Sequence, residues 1–174
     1  RAEATGAVTS SYNDGGIAYV GGLIGSLADS RNLTTVSATG VVTSTSGDDV
    51  GGLVGRLTLT NASTVVQNAS ATGDVTTTGS NVGGLIGNHS TGRVISSYAR
   101  GNVTTSGDSV GGLVGTANVD RISDSYARGD VNATSGSGTN VGGLVGKLTG
   151  TVTRAYASGQ VAGGGSVGGL IGEN

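Results

Sequence analysis

The hexapeptide VGGLVG, Val50 to Gly55, decides the fold because it recurs almost unchanged in five other places. The other copies are VGGLIG from Val20, VGGLIG from Val82, VGGLVG from Val110, VGGLVG from Val141 and VGGLIG from Val167. Successive copies thus begin at a spacing of about 30 residues. A period of this length predicts a solenoid, in which each repeat forms one coil and stacks on its neighbours.

A second motif, AxGxV, lies between the VGGL copies and has the alternation of a β-strand. Its copies are ATGAV from Ala4, ATGVV from Ala38, ATGDV from Ala71, ARGNV from Ala99, ARGDV from Ala127 and ASGQV from Ala157. The Ala, Gly and Val positions do not vary, whereas the positions between them are mostly polar. Because side chains in a strand point alternately to opposite faces, we expect the constant residues to face inward.

The composition indicates a folded chain with a narrow interior. Of 174 residues 36 are Gly, five Tyr are the only aromatic residues, and Pro, Cys, Met, Trp and Phe are absent. Regularly spaced Val, Leu and Ile argue against disorder, because disordered chains lack the apolar surface that offsets chain entropy. A net charge of −2 without basic clusters argues against nucleic-acid binding. No apolar run approaches the length of a membrane-spanning helix, so we expect no membrane-spanning segment.

Polar segments such as STSGDD before Val50 and TTTGSN before Val82 predict the corners between strands, where we expect Gly to supply positive φ. We therefore predict an all-β fold: a right-handed parallel β-helix (β-solenoid) of about six coils of 26–32 residues, forming one domain over residues 1–174. A β-propeller or prism is less favoured because the repeat is short for a four-stranded blade. Since atypical capping repeats are lacking, we expect the chain to be a segment of a longer array.

The six [VI]GGL[VI]G cores, each linked to an AxGxV segment, resemble GLUG repeats. The shared Gly, Leu, apolar, Gly core covers Gly22–Gly25, Gly52–Gly55, Gly84–Gly87, Gly112–Gly115, Gly143–Gly146 and Gly169–Gly172. The resemblance implies a repetitive segment of a large surface-exposed or secreted protein of the adhesin or filamentous-haemagglutinin type. It implies no catalytic residues and no cofactor.

The direction of the VGGL leucine is open at this stage. Strict alternation from Val50 places Gly52 and Val54 inward and Leu53 outward, which would create an apolar stripe needing a cover or a lateral partner. A bulge at the glycine pair would instead turn the leucine inward, and we favour this arrangement. The predicted coil-stacking core is Val50, Leu53, Val54, Val82, Leu85, Ile86, Val110, Leu113, Val114, Val141, Leu144 and Val145.

Two outward columns are candidates for ligand binding. Tyr98, Tyr126 and Tyr156 share one repeat position, so their rings should stack as a ladder that either stabilises the coils or binds sugars. The second set is a two-wide Thr array that resembles ice-binding solenoids, although Thr is favoured on any exposed strand. Its members are Thr43, Thr45, Thr76, Thr78, Thr104 and Thr134, with Ser106 and Asn132 replacing Thr at equivalent positions.

Other polar residues give weaker signals. Six Asn-X-Ser/Thr sequons could accept N-glycans: Asn32, Asn61, Asn68, Asn88, Asn102 and Asn132. Acidic turn residues such as Asp48 and Asp49 suggest calcium, but the acidic pattern is not repeated, and we predict solvated turn residues and no metal site. The single histidine, His89, lies beside a turn without a nucleophile partner, so we expect it to be solvated and predict no catalytic site.

These observations favour a non-enzymatic extracellular or cell-surface β-solenoid that acts as a stalk or adhesin repeat region. One alternative is a subunit that assembles head to tail into a filament, since solenoid ends expose unpaired strand edges. The other is an ice- or glycan-binding solenoid that uses the Thr or Tyr columns. The expected partners are further copies of the chain, end-to-end or lateral, and host or cell-surface glycans or proteins.

Overall fold

The computed structural model describes residues 1–11, 17–28, 31–134 and 140–174, and every strand pair in it is parallel. Each strand pairs with its equivalents in the coils before and after it, as a solenoid requires. The described residues contain strands, turns and bends and no helix. The predicted all-β parallel β-solenoid of about six coils is confirmed.

The described strands form three sheets, each running the length of the stack. Sheet 1 has thirteen strands and curves around one side of the coils: Ala2–Ala4, Ile24–Ala28, Leu33–Ala38, Val54–Thr58, Val65–Ala71, Ile86–His89, Arg93–Ile95, Tyr98–Ala99, Val114–Ser123, Tyr126–Ala127, Val145–Thr153, Tyr156–Ala157 and Ile171–Glu173. Sheet 2 has six strands from the AxGxV motifs: Val8–Ser10, Val42–Ser44, Val75–Thr77, Val103–Thr105, Val131–Ala133 and Val161–Ala162. Sheet 3 has six strands that begin the VGGL motifs: Tyr19–Gly21, Asp49–Gly51, Val82–Gly83, Val110–Gly111, Val141–Gly142 and Val167–Gly168.

One coil shows how the sequence follows this path. It starts in sheet 3 at Val82–Gly83, bends, and enters sheet 1 at Ile86–His89. Sheet 1 continues through Arg93–Ile95 and, after a second bend, through Tyr98–Ala99. The coil ends in sheet 2 at Val103–Thr105 before a polar turn leads to the next VGGL motif. The two sequence motifs thus lie on different sheets.

Equivalent residues of successive repeats pair with each other along the stack. Val50 pairs with Val82, Val82 with Val110, and Val110 with Val141. The AxGxV valines Val42, Val75, Val103 and Val131 form an equivalent column in sheet 2. Because a one-residue slip would turn each inward column to the solvent, this repetition fixes the register of every coil.

The interior consists of two thin hydrophobic clusters. One lies between sheets 2 and 3 and consists almost entirely of valines, including Val42, Val50, Val75 and Val82. The other lies under sheet 1 and combines leucine, valine, isoleucine and the AxGxV alanines. Small and branched side chains suffice because the coils are narrow, which accounts for the scarcity of aromatic residues.

The VGGL leucines face inward. Leu53, Leu85, Leu113 and Leu144 are completely buried, as are all twelve residues of the predicted coil-stacking core. The outward leucine stripe is therefore wrong for these coils. The turning device is a bend between sheet 3 and sheet 1, not a bulge within one strand.

The glycines of this bend are required by close backbone approach. A Cβ atom on Gly52 would lie 2.2 Å from the carbonyl oxygen of Gly84, its equivalent in the next coil. A Cβ on Gly51 would lie 2.0 Å from the carbonyl oxygen of Val54 across the bend. No side chain fits at these separations, so glycine lets both the corner close and the coils stack.

In the described turns before the VGGL motifs, the expectation that glycine supplies positive φ is wrong. Positive φ belongs to the polar residue immediately before the motif, at Asn81 (51°), Ser109 (56°) and Asn140 (63°). Asn tolerates this left-handed conformation better than most residues. The turn glycine Gly107 instead avoids a clash, because its Cβ would lie 2.1 Å from the carbonyl oxygen of Gly79.

Candidate functional site

The second bend of each coil, within sheet 1, positions the tyrosines. Ser96, Asp124 and Arg154 adopt φ values of 49°, 53° and 49° at this bend. The residue that follows is Ser97, Ser125 or Ala155, and the Ser97 hydroxyl accepts a bond from the Ala69 amide at 3.2 Å. The next residue, a tyrosine in the last three coils, then points outward. The same backbone conformation recurs in each of these coils and therefore places each ring at the equivalent position.

Tyr98, Tyr126 and Tyr156 form a continuous stack on the outer surface. Adjacent ring centroids are 5.1 Å apart, and the ring planes differ by 3° and 7°. The spacing follows from the separation of parallel strands, which is about 4.8 Å. Tyr156 is 45% exposed, and the other two rings are partly buried. The rings stack as their common repeat position predicts, whereas their role toward a ligand stays a prediction.

Two arginines extend this stack into a mixed aromatic and cationic ladder. The Arg100 guanidinium lies 5.0 Å from the Tyr98 ring centroid, and that of Arg128 lies 5.0 Å from the Tyr126 ring. Each arginine also donates to the tyrosine hydroxyl of the following coil, with Arg100 3.3 Å from Tyr126 and Arg128 3.0 Å from Tyr156. The bond to Tyr126 raises the pKa of Arg100. We call these five residues the Tyr–Arg ladder.

A polar groove borders the ladder at the coils before Tyr98. There Ser37 and Ser70 occupy the position that Tyr98 and its successors occupy later in the chain. These two coils carry a hydroxymethyl group where the later coils carry a ring, and a groove of about 290 Å3 lies there. It is lined by Arg1, Thr35, Val36, Ser37, Asn68, Ser70, Ser96 and Tyr98. The sequence signal for it is the change from Ser to Tyr along one column.

The Thr array lies on and beside sheet 2. Thr43, Thr76 and Thr104 are in register on its outer face, and Asn132 continues the column. The second column, Thr45, Thr78, Ser106 and Thr134, follows the strand ends, and its hydroxyls bond across coils. Thr78 donates to the Thr45 carbonyl, Ser106 to the Thr78 carbonyl and Thr134 to the Thr105 carbonyl. These three hydroxyls are engaged by the chain itself.

Asp49 is buried, so its assignment to a solvated turn is wrong. Its carboxylate accepts bonds from the side-chain amides of Asn81 at 2.8 Å and Asn88 at 3.3 Å. Arg56 Nε lies 3.6 Å from the other oxygen, and Arg56 also donates to the Tyr19 hydroxyl at 2.7 Å. Burial raises the pKa of Asp49 against the opposing effect of these partners. The network bonds several coils together at the corner and is a structural element.

His89 is also buried, and the expectation that it is solvated is wrong. Neither ring nitrogen has a hydrogen-bond partner of ordinary geometry among the described residues. Burial lowers the pKa of His89 to about 4, although a weaker approach of the Thr91 backbone favours the proton. An imidazole enclosed in this way is neutral near pH 7 and has no access to a substrate.

The sequons differ in exposure. Five are exposed at the asparagine, and Asn88 is partly buried where it bonds to Asp49. The Asn102 Oδ1 accepts a hydrogen bond from the Asp130 amide of the next coil at 2.9 Å. Asn32 Oδ1 accepts the Val65 amide at 2.9 Å, whereas Asn61 lies with Ala62 and Ser63 in an exposed turn. Asn68 lines the groove and Asn132 continues the Thr column. N-glycosylation at these positions stays a prediction.

Within residues 1–11, 17–28, 31–134 and 140–174, no three His, Asp or Glu side chains are grouped so that they could hold a metal ion. The same residues form no helix long and apolar enough to cross a membrane.

The fold and this surface define a repeat protein in which stacked coils of a parallel β-solenoid display columns of equivalent side chains. The GLUG motif matches residues 46–76 and 137–162 of the chain. These two regions therefore carry the GLUG motif, which confirms the resemblance drawn from the VGGL motifs.

The chain is also similar to halomucin of Haloquadratum walsbyi (strain DSM 16790 / HBSQ001). The two are 56% identical over 95 residues, which cover 55% of this chain and 1% of halomucin. The chain thus spans a very small part of the relative it matches. No solved structure matches the chain.

Proposed function

We propose that this chain is a segment of an extracellular, non-enzymatic structural protein in which the solenoid acts as a stiff spacer. The similarity to halomucin supports the extracellular part of the proposal, because the name denotes a mucin, a class of proteins found outside the cell. The GLUG motif supports the repetitive, structural part.

The single observation that carries the proposal is the repeated parallel register of the three sheets, which shifts between Asn118 and Arg121 in sheet 1 and resumes at Arg121. Identical or similar residues stack from coil to coil, so each inner coil is held to both neighbours by backbone bonds and by buried side-chain columns. Stability then accumulates with each added interface, and local opening must break several ladders at once. Such a rod resists proteases and keeps its length under load.

Limited proteolysis tests the stiff-spacer role. The purified chain should survive proteinase K under conditions that digest the Gly84→Ala variant, whose central corner is predicted to be disrupted. Cleavage of the unaltered chain within its central coils at the rate of the variant would contradict the proposal.

Antibody labelling tests the extracellular location independently. Antibodies raised against the purified chain should label intact cells of the source organism or its culture medium. Labelling that requires permeabilised cells would contradict an extracellular location, whatever the outcome of proteolysis.

We further propose an adhesive role for the Tyr–Arg ladder. Its rings and guanidinium groups are exposed or partly buried on one surface and lie at a regular spacing. Aromatic and arginine side chains are the types enriched at binding hot spots. The second Thr column supports ice binding less well, because three of its hydroxyls bond to the backbone.

A further inference from the structure

The groove beside the Tyr–Arg ladder has the chemistry of a small binding site. Along one column of sheet 1, the side chains in register are Ser37, Ser70, Tyr98, Tyr126 and Tyr156. The rings fill this track in the last three coils, and the serines leave it open in the two coils before them. The groove is therefore the continuation of the ladder, with two rings absent.

The Tyr98 ring forms the apolar end of the groove. Tyr126 covers one of its faces at 5.1 Å, and the Arg100 guanidinium near the ring reaches toward Tyr126 through its bond to that hydroxyl. On the other side the residue in register is Ser70, whose side chain is small. That second face is free to stack against a flat ligand of about the thickness of a ring. Aromatic faces pair favourably with flat, partly apolar groups.

The remaining lining supplies neutral hydrogen-bonding groups. Thr35, Ser37, Ser70 and Ser96 contribute hydroxyls, and Asn68 contributes an amide. Hydroxyl groups both donate and accept, so they suit a ligand that carries several hydroxyls of its own. The Ser37 hydroxyl is buried without a partner among the described residues, and a change of rotamer would direct it to a ligand.

Charge and size narrow the class of ligand. Arg1, a charged residue of the lining, is paired with Glu3 at 2.9 Å, so the groove favours a neutral ligand. The volume of about 290 Å3 is near the lower end of ligand pockets, roughly 300 Å3, and suits a small ligand. A single hexose, with about a dozen non-hydrogen atoms, is of that size.

We propose that this groove binds one neutral hexopyranose unit of a polysaccharide. The C–H face of the sugar stacks on the free face of Tyr98, and its hydroxyls bond to Ser37, Ser70 and Asn68. The site is distinct from the structural role proposed above, since the rod stays folded whether or not a sugar is bound.

The test follows the ring signals of the purified chain by NMR with labelled tyrosine. The probes are methyl β-D-glucopyranoside, methyl β-D-galactopyranoside and methyl α-D-mannopyranoside, each added to about 50 mM because single sugars bind in the millimolar range. At least one should shift the Tyr98 signals in a saturable way and leave the Tyr156 signals unchanged. Absence of a Tyr98 shift with all three probes would overturn the proposal.

Three variants locate the site. Ser70→Tyr extends the ladder into the groove and should weaken binding at least tenfold without lowering the melting temperature. Asn68→Gly, which tolerates the positive φ of 53°, removes the amide and should weaken binding severalfold. Thr149→Ala changes an exposed residue outside both the groove and the ladder and should bind within twofold of the unaltered chain.

The outcomes separate binding from folding. Circular dichroism and protease resistance report the folded rod for each variant, and these readouts decide the structural proposal. Unaltered sugar affinity in folded Ser70→Tyr or in folded Asn68→Gly would place binding elsewhere and overturn the groove assignment.

Discussion

At the scale of the residue, His89 shows how the column determines the environment of a side chain. It occupies a column of sheet 1 in which its partners in the adjoining coils are Leu57 and Ala117. The next members on either side are Leu27 and Leu148. A histidine in this apolar column is neutral because burial opposes its charged form, which lowers its pKa to about 4.

Acidification should therefore destabilise the fold through His89. Between an unfolded pKa of about 6.5 and the folded value of about 4, the unfolded chain binds more protons, so stability falls as pH falls. The contribution amounts to about 2 kcal/mol between pH 7 and pH 4.5. His89→Leu should remove this part of the pH dependence, measured as the difference in urea unfolding free energy between the two pH values.

A second histidine provides the control for this measurement. Asn132 is exposed, so His89→Leu combined with Asn132→His retains one histidine but places it in solvent. This double variant should behave as His89→Leu does. A pH dependence equal to that of the unaltered chain in His89→Leu would show that His89 is not the responsible group.

The burial of His89 and Asp49 was not predicted from the sequence, because both residues lie beside turn-like residues. Local composition indicates solvent at such positions, whereas burial here is set by the coil above and the coil below. Comparison with Leu57, which occupies the equivalent position of the preceding repeat, is a signal that could have placed His89 inside. Asp49 has no such signal, since its column also contains Tyr19 and its amide partners become apparent only once the coils are stacked.

At the scale of the element, the VGGL corner links two sheets by a turn that side chains cannot enter. Gly84 illustrates the constraint: a Cβ there would lie 2.2 Å from the Gly112 carbonyl oxygen and 3.0 Å from the Ala99 Cβ. Both obstacles belong to rigid parts of the stack. A methyl group can be accommodated only if the coils separate locally.

Gly84→Ala should accordingly lower the unfolding free energy by about 3 kcal/mol or more. Gly169→Ala is a matched control, because Gly169 holds the same repeat position but has nothing within 4 Å of an added Cβ. The control should change stability by less than about 1 kcal/mol. Urea unfolding of both variants provides the comparison, and equal losses would show that the crowding at Gly84 is not what requires glycine.

The inward-facing columns of the strands could be predicted from the sequence, whereas the conformation of the corners between sheets could not. Constant Ala and Val in AxGxV fixed the inward face because alternation holds within a strand. The VGGL motif crosses from one sheet to another, so alternation does not continue from Val50 to Leu53 and parity alone places the leucine wrongly. The groove was missed for a related reason, since Ser70 and Tyr98 are similar in neither size nor chemistry and only their register connects them.

At the scale of the whole molecule, the stability of the rod is distributed over its interfaces. Each inner coil contacts the one before and the one after it, and equivalent residues pair in successive coils of all three sheets. No single central core has to be completed before the others form, and a coil added in phase brings its own interface. Coils of unequal length coexist in the stack, since the VGGL motifs keep their register although their spacing varies.

Duplication of one coil tests this additivity. Inserting a second copy of the segment from Val82 to Ser109 directly after Ser109 adds one whole coil and keeps the VGGL and AxGxV motifs in phase. Because the new coil makes the same contacts as its neighbours, the melting temperature should rise by about 5 °C or more and the rod should lengthen by about 4.8 Å. Thermal unfolding by circular dichroism and the maximum dimension from X-ray scattering measure the two effects.

An insert of the same length and composition in scrambled order provides the control. It cannot continue the columns of equivalent residues and should lower the melting temperature. Equal behaviour of the two inserts would mean that stability does not arise from the stacked register.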